Sequence, residues 1–331
     1  MRWLQWATVD LEKGLGGVEV HARSLSRELN LLGIHSEISS DPQKLKKDWD
    51  VIQTHGSAVH FWGTHTASSA IRVHTLHGTT LGRMAACSEW TWPGGYLASL
   101  REFFGVLRAD VVLAIHSDLW LFKLARILGK TCAVCSNGWD SATDQDVGDL
   151  PASGVRSWVQ DRLPFWSFIG RGGDPVKATW RVKSLIRDIP SLRIAAAPGD
   201  GFEPHSQVQS TGRLDAPQVK ELLAQSKGLL LTSKYEGLPL VVLESLAMGT
   251  PVLATPVGGL NSLNRDLQGF KLLEFNNEES GSAWSGGVAE LEALPGTSEA
   301  RKKRAEWNRK FLKTWRQVAQ CALDAVLRVK K

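Results

Sequence analysis

The chain has 331 residues, a length that suits about two domains. Hydrophobic residues make up 43% and charged residues 22%, close to the globular norm and enough to build two cores. Lys and Arg outnumber Asp and Glu by 39 to 34, a net charge of +5; spread over this length, that suits an anionic ligand or a membrane surface and excludes a dedicated nucleic-acid binder.

Four cysteines, Cys87, Cys132, Cys135 and Cys321, are too few and too scattered for a disulfide framework. Met1–Leu11 lacks the apolar core of a signal peptide, and no apolar run approaches the ~18 residues of a membrane span. The expectation is a soluble, cytoplasmic protein. Fourteen Trp against two Tyr follow no fixed period, which points to core and loop packing rather than a repeat.

In chain order, strand-like runs fall at Leu4–Val9, Ile34–Ser39, Val51–Thr54, Arg72–Leu76, Val111–Ile115 and Cys132–Ser136. Between the first two, Val18, Ala22, Leu25 and Leu29 recur at helical spacing, and Gly33 ends that helix. A linker rich in Asp, Ser, Gly and Thr follows at Ser141–Gly154. A second series of strands is predicted at Phe165–Gly170, Leu192–Ala197, Gly228–Thr232 and Pro251–Thr255. Helices at Lys177–Arg187, Pro217–Ser226 and Pro239–Met248 alternate with them.

The fold class is therefore α/β, with two doubly wound, Rossmann-like domains facing across a cleft. The expected boundaries are 1–150, 151–310 and a C-terminal helix over 311–331 that crosses back to the first domain. Trp307, Phe311, Trp315, Val318, Ala322 and Val326 give that region an apolar stripe beside the basic run Arg301–Arg304. Either the stripe packs on the fold or it lies on a membrane. Lys44, Lys46 and Lys47 beside Trp49 are a second candidate membrane contact.

The segment from Ser233 to Thr255 carries the chemistry. An apolar strand runs into a polar loop with Glu236 and Gly237, and a helix then opens near Pro239. Its N-terminus offers free N–H groups and the positive dipole end to an anion. Glu236 and Glu244 are eight residues apart, about 12 Å if all were helical, and on one side. That suits two hydroxyl-bearing ends of one long ligand rather than an acid/base dyad.

In this setting, Glu236-x7-Glu244 with Gly-Thr-Pro-Val after it resembles family 4 of the retaining glycosyltransferases, which have the two-domain GT-B fold. Other pieces stand in the family's order. They are Gly16-Gly17 before the first helix, Thr75-Leu-His77-Gly78, Asn137-Gly-Trp-Asp140, and Gly170-Arg171 followed by Lys177. Two places depart from the family's pattern: Lys177 is followed by Ala178 rather than glycine, and Trp139 replaces a small aliphatic residue.

The resemblance implies a retaining, metal-independent transfer of a sugar from a nucleotide-sugar donor to a glycan, lipid-linked or small-molecule acceptor. It implies that Arg171 and Lys177 bind the diphosphate, Glu244 the ribose and Glu236 the donor sugar. Gly16, Gly17, Gly170, Gly237, Leu238, Leu240 and Val241 would line the donor, and His77 would face donor sugar and acceptor. No cofactor or metal is expected, nor a nucleic-acid partner. Contact with the inner face of a membrane is an expectation drawn from the basic Trp-containing segments.

Two readings remain beside it: a nucleotide-sugar epimerase of the same fold, and a silent nucleotide- or sugar-binding protein. Asp48-Trp-Asp50 and Asp144-Gln-Asp146 do not end apolar strands, as a metal-binding Asp-x-Asp would. His55, His60, His65, His74 and His77 show no helical metal-ligand spacing. Cys132 and Cys135, three apart on a strand, face opposite sides, which argues against a shared zinc or redox site.

Overall fold

A computed structural model describes residues 1–11, 16–57, 69–140, 163–275 and 280–329. The predicted linker, His60, His65 and Asp144–Asp146 lie outside these residues. The chain divides into two compact units. One comprises Met1–Gly138, Gly237–Pro239 and Lys313–Lys331, the other Trp139–Glu236 and Leu240–Leu312.

The first unit holds a parallel sheet of β1 (Arg2–Trp6), β2 (His35–Ser39), β3 (Val51–His55), β4 (Ile71–Leu76), β5 (Val111–Ala114) and β6 (Thr131–Val134). Their order is β2-β1-β3-β4-β5-β6, all neighbours parallel. Helices α1 (Gly17–Leu31), α2 (Thr80–Cys87), α3 (Pro93–Arg108) and α4 (Trp120–Ile127) link the strands. Every residue of β3 is buried, as expected of a central strand covered on both faces.

Helix α1 buries Ala22, Leu25 and Leu29 and ends as its sequence predicts. Gly33 takes φ +81, and the Gly33 and Ile34 amides donate back to the Asn30 and Leu29 carbonyls. Only glycine enters that left-handed conformation without strain.

The second unit's sheet comprises β7 (Trp166–Ile169), β8 (Ile194–Ala197), β9 (Val208–Ser210), β10 (Leu229–Leu231), β11 (Val252–Ala254) and β12 (Phe270–Leu272). The order is β12-β11-β10-β7-β8-β9, again parallel. Counted from the unit's own first strand this is 3-2-1-4-5-6, the Rossmann order. Helices α5 (Thr179–Asp188), α6 (Ala216–Gln225), α7 (Leu240–Ala247), α8 (Ser280–Glu292) and α9 (Ser298–Arg309) belong to it. Its core is built on Trp166, Phe168, Leu185, Ile194, Phe275 and Trp284.

Helix α10 (Trp315–Val329) counts with the first unit. It buries Trp315, Val318, Ala319, Ala322 and Val326 and packs on α1 and β6. Its apolar stripe is therefore core.

Two readings of the sequence need correction. The helix expected from Lys177 starts at Thr179, because Pro175–Lys177 forms a 3₁₀ turn and Ala178 adopts φ +48. Strands β9 and β12 were not predicted: they are the edge strands, and VQS and FKL are half-buried with polar residues, unlike the equally short but apolar and buried β10 and β11. The basic Trp segments divide: Trp49, Arg301 and Arg304 turn into the fold, while Lys46, Lys47, Lys302, Lys303 and Trp307 are exposed.

Trp49 is 2% exposed, and its Nε1 donates to the Lys44 carbonyl. Arg304 is 5% exposed and donates to the Gly249 carbonyl, and Arg301 donates to the Ala224 and Ser226 carbonyls. Carbonyls at helix ends have no partner within the helix, and these guanidinium groups supply one. Among the described residues no helix is long and apolar enough to cross a membrane.

Candidate functional site

In the second unit, strand order reverses direction between β7 and β10, the point beyond which open α/β sheets bind ligands. The loops leaving these two strands carry the predicted residues. After β7, Gly170 lies under the Lys177 side chain. A Cβ there would sit 2.9 Å from Lys177 Cε. Gly172 packs so closely that a Cβ would stand 1.5 Å from the Asp200 carbonyl oxygen. Asp200 Oδ1 accepts from the Gly172 amide at 3.1 Å.

Asp174 caps the 3₁₀ turn by accepting from the Val176 amide at 3.1 Å. The turn is then tied to the loop after β10. The Lys234 amide donates to the Val176 carbonyl at 2.7 Å, and Thr232 Oγ1 to the Lys177 carbonyl at 3.0 Å. Lys177 Nζ donates to Glu236 Oε1 at 2.7 Å, and Ser233 Oγ donates to the same oxygen at 2.7 Å. Both charged side chains are largely covered, so this ammonium is placed rather than solvated.

Arg171 differs. Its side chain is 77% exposed and, among the described residues, pairs with Asp174 at 3.3 Å. A surface pair of this kind is worth roughly 0–1 kcal/mol, which leaves the guanidinium able to turn to a ligand.

Leu240 and Val241 open α7, and Glu244 lies one turn further in, half-buried. Burial raises the Glu244 carboxyl above its usual range; Lys220 opposes this and Asp140 adds to it. Glu236 precedes α7, so a helical rotation does not relate it to Glu244 as the sequence reading assumed.

The first unit gathers a second cluster at the C-terminal ends of β1, β3 and β4, beside that sheet's reversal point. Gly16 caps α1 and Gly17 is its first residue. A Cβ on Gly16 would lie 2.5 Å from the Glu19 carboxylate. On the buried face of α1, His21 Nδ1 lies 2.8 Å from Asn137 Oδ1. His55 Nε2 lies 3.1 Å from Gln5 Oε1, and His55 Nδ1 lies 3.0 Å from His77 Nε2.

Because an amide oxygen only accepts, His55 carries its proton on Nε2. Its Nδ1 then accepts from His77 Nε2–H. The His21 ring meets His77 edge-on at 4.7 Å, and Trp315 meets His21 at 5.3 Å. Burial lowers His21 from 6.5 to about 4; it takes His55 and His77 well below the usual range, with repulsion from His21 and His74, and from His55 on His77, adding to this.

His21, His55 and His77 each offer a ring nitrogen, the three within 4.8 Å of one another. This is the one such set among the described residues that could hold a metal ion. The tripeptide Gly237–Pro239 counts with this unit. Asn137 Nδ2 donates to the Leu238 carbonyl at 2.6 Å. A Cβ on Gly237 would stand 2.0 Å from the His77 carbonyl oxygen, so only glycine fits.

Sequence reasoning named His77 and Asn137 but missed Gln5, His21 and the pairing of His55. The available signal was His21 itself, a polar residue four after Gly17 on the face that buries Ala22, Leu25 and Leu29.

Comparison with known proteins gives three findings. The model of the family described as "Glycosyl transferases group 1" matches residues 201–310. The Bacillus subtilis (strain 168) protein TuaC, named for a glycosyltransferase role in teichuronic acid biosynthesis, is 33% identical over 91 residues. That match takes in 26% of this chain and spans 23% of the relative's length.

Solved structures match along nearly the whole chain. Sucrose-phosphate synthase from Thermosynechococcus elongatus has a TM-score of 0.74 at 15% identity, covering 99% of this chain and 98% of that one. The catalytic domain of starch synthase IV from Arabidopsis thaliana, bound to ADP and acarbose, gives 0.72 at 13% identity, covering 99% of each. Anabaena Alr3699/HepE, in complex with UDP and glucose, gives 0.67 at 14%, covering 99% and 100%. Residues 201–310 thus match the glycosyltransferase group 1 model, and the chain's two parallel six-stranded sheets have the GT-B fold of these neighbours.

Proposed function

We propose that this chain is a retaining, metal-independent glycosyltransferase of family 4 that moves a sugar from a nucleotide-sugar donor to an acceptor. The observation that carries the reading is the Lys177–Glu236–Ser233 constellation at the second sheet's reversal point. Departure of a nucleoside diphosphate builds negative charge on its phosphates. Lys177, Arg171 and the amides opening α7 can stabilise that charge electrostatically.

Glu236 holds Lys177 in place and accepts from donor-sugar hydroxyls, while Glu244 takes the ribose hydroxyls. Gly170, Gly237, Leu238, Leu240 and Val241 supply backbone and apolar contacts to the donor, and Gly16 and Gly17 allow close approach of phosphate. His77, neutral and with Nε2–H committed to His55, offers its Nδ1 to a hydroxyl hydrogen. The ADP with acarbose and the UDP with glucose held by two structural neighbours support a nucleoside diphosphate and a sugar as ligands.

A calorimetric or thermal-shift screen against nucleoside diphosphates and nucleotide sugars tests this. A member present at ~100 times its dissociation constant adds about 2.7 kcal/mol of stability. A panel without a single binder overturns the reading. Release of free nucleoside diphosphate only in the presence of an acceptor separates transfer from epimerisation.

Metal independence has its own test. Turnover is expected to be unchanged in EDTA, because fixed cations and the helix N-terminus fill the metal's role. Loss of activity that Mg²⁺, Mn²⁺ or Zn²⁺ restores defeats that reading and turns attention to the three histidines.

The acceptor side is read from α3. Leu97 and Leu100 are 53% and 54% exposed, with Trp90, Trp92 and Tyr96 beside them in the chain and Arg101 and Arg108 exposed on the same helix. Apolar residues flanked by arginine suit an anionic lipid surface and a lipid-linked acceptor. Co-sedimentation with phosphatidylglycerol vesicles at low salt is expected, reversed by salt and lost in Leu97→Glu/Leu100→Glu. Absence of binding, or binding insensitive to salt, removes the membrane from the proposal.

A further inference from the structure

Residues 135 and 321 stand 186 positions apart in the chain, yet their sulfur atoms lie 2.7 Å from each other. A covalent S–S bond is ~2.05 Å long, so the pair needs an approach of only about 0.7 Å. Cys135 is buried directly after β6, and Cys321 is half-buried on the second turn of α10. Sheet and helix are already packed together here. Cys321 Sγ approaches the Val134 carbonyl at 3.6 Å, and Lys313 Nζ donates to that carbonyl at 3.5 Å. Cys132 packs instead within the cluster of β5 and α4, and Cys87 ends α2.

We propose that Cys135 and Cys321 are a modification site, forming a reversible intramolecular disulfide with glutathione disulfide or a similar oxidised thiol. The two sulfurs have distinct roles. Cys135 donates its S–H to Cys321, and Lys313 and Arg328 add positive charge, which together bring Cys321 down to about 7 against its burial. Cys135 is held protonated by the same hydrogen bond and by burial. Cys321 is thus the more accessible thiolate at neutral pH and Cys135 the resolving thiol.

The Cys321 thiolate attacks one sulfur of glutathione disulfide, forming a mixed disulfide and releasing one glutathione thiolate. Cys135 gives its proton to solvent and attacks the Cys321 sulfur, releasing the second glutathione. Two electrons pass from the protein sulfurs to glutathione disulfide, leaving one protein disulfide and two glutathione thiols.

The bond's position gives it a consequence. Cys135 lies three residues before Gly138, where the chain leaves the first unit, and Trp315 opens α10 just after its return at Lys313. The disulfide would close a loop containing the whole second unit and fasten α10 to the sheet it covers. Trp315, which meets the His21 ring, is carried on that fastened helix. Long loops lose the most chain entropy in the unfolded state, so the oxidised form should melt at the higher temperature.

The test needs no assumption about the enzyme's substrate. The full chain is equilibrated at pH 7.5 across ratios of reduced to oxidised glutathione, quenched with acid, unfolded and alkylated. The expected result is a fall from four reactive thiols to two, with one proteolytic cross-link joining Cys135 to Cys321. Dithiothreitol restores all four thiols and lowers the melting temperature. Cys321→Ser and Cys135→Ser, checked for folding by circular dichroism, should each form no internal cross-link. Four free thiols at the most oxidising ratio, glutathione adducts without an internal bond, or a cross-link through Cys87 or Cys132 would each overturn the proposal. Because mapping is done on the unaltered chain, a variant that fails to fold does not obscure the answer.

Discussion

Replacing Lys177 with alanine should lower kcat by ~10²–10³-fold while the second unit stays folded, the usual loss when one preorganised charge stabiliser is removed. The ammonium is fixed by Glu236 at 2.7 Å, and its turn is pinned through Val176 and Thr232, so no neighbouring cation can take its position without rearrangement. Arg171→Ala should fall in the same direction with an intact fold, since among the described residues its exposed side chain pairs with Asp174 alone.

Glu236→Gln tells positioning apart from charge. The glutamine can still accept from Ser233 and Lys177 but no longer balances the ammonium. Steady-state kinetics with circular dichroism on all three variants decide the matter. Unaltered kcat in Lys177→Ala with the fold intact defeats the assignment of the diphosphate site.

The second large effect is loss of stability in mild acid, centred on the first unit. His21 and His74 are fully enclosed, and burial lowers each from 6.5 to about 4. His55 and His77 are shifted further in the same direction. The unfolded chain protonates these groups near 6.5, whereas the folded chain keeps them neutral. The unfolded state therefore binds more protons between those values. Stability is full above pH 6.5 and is lost as pH falls toward 4.

One pKa unit corresponds to 1.36 kcal/mol, so at pH 5 His21 and His74 should each remove about 2 kcal/mol. Urea unfolding at pH 7.5 and pH 5, with hydrogen exchange to locate the response, measures it. His74→Gln should reduce the slope by about one proton, since His74 lies outside the candidate site and its Nδ1 bonds Thr54. A midpoint that does not move between the two pH values would falsify the account of neutral buried histidines.

The sequence by itself determined what depends on neighbours in the chain. Alternating apolar runs and helical stripes located β1 to β6 and α1 within a few residues. Gly33 marked the end of α1, and the run from Ser233 to Thr255 marked a strand, loop and helix with Glu236 at the bend. The Gly170–Lys177 stretch was legible through its resemblance to the family's Gly-Arg and following Lys after a strand.

Tertiary structure decided what depends on strand order. Gln5, His55 and His77 meet only because β1, β3 and β4 are adjacent in the sheet, and His21 and Asn137 join them from α1 and the loop after β6. Cys135 was read against Cys132, its neighbour in sequence, while its partner in space is Cys321 on the returning helix. Trp49 and Arg304 had the composition of a membrane surface, but one donates to Lys44 and the other to the Gly249 carbonyl, both from inside the fold. Periodicity reports which face of an element is apolar. It carries no information on which distant element that face will meet, because register and pairing are fixed by packing across many intervening residues.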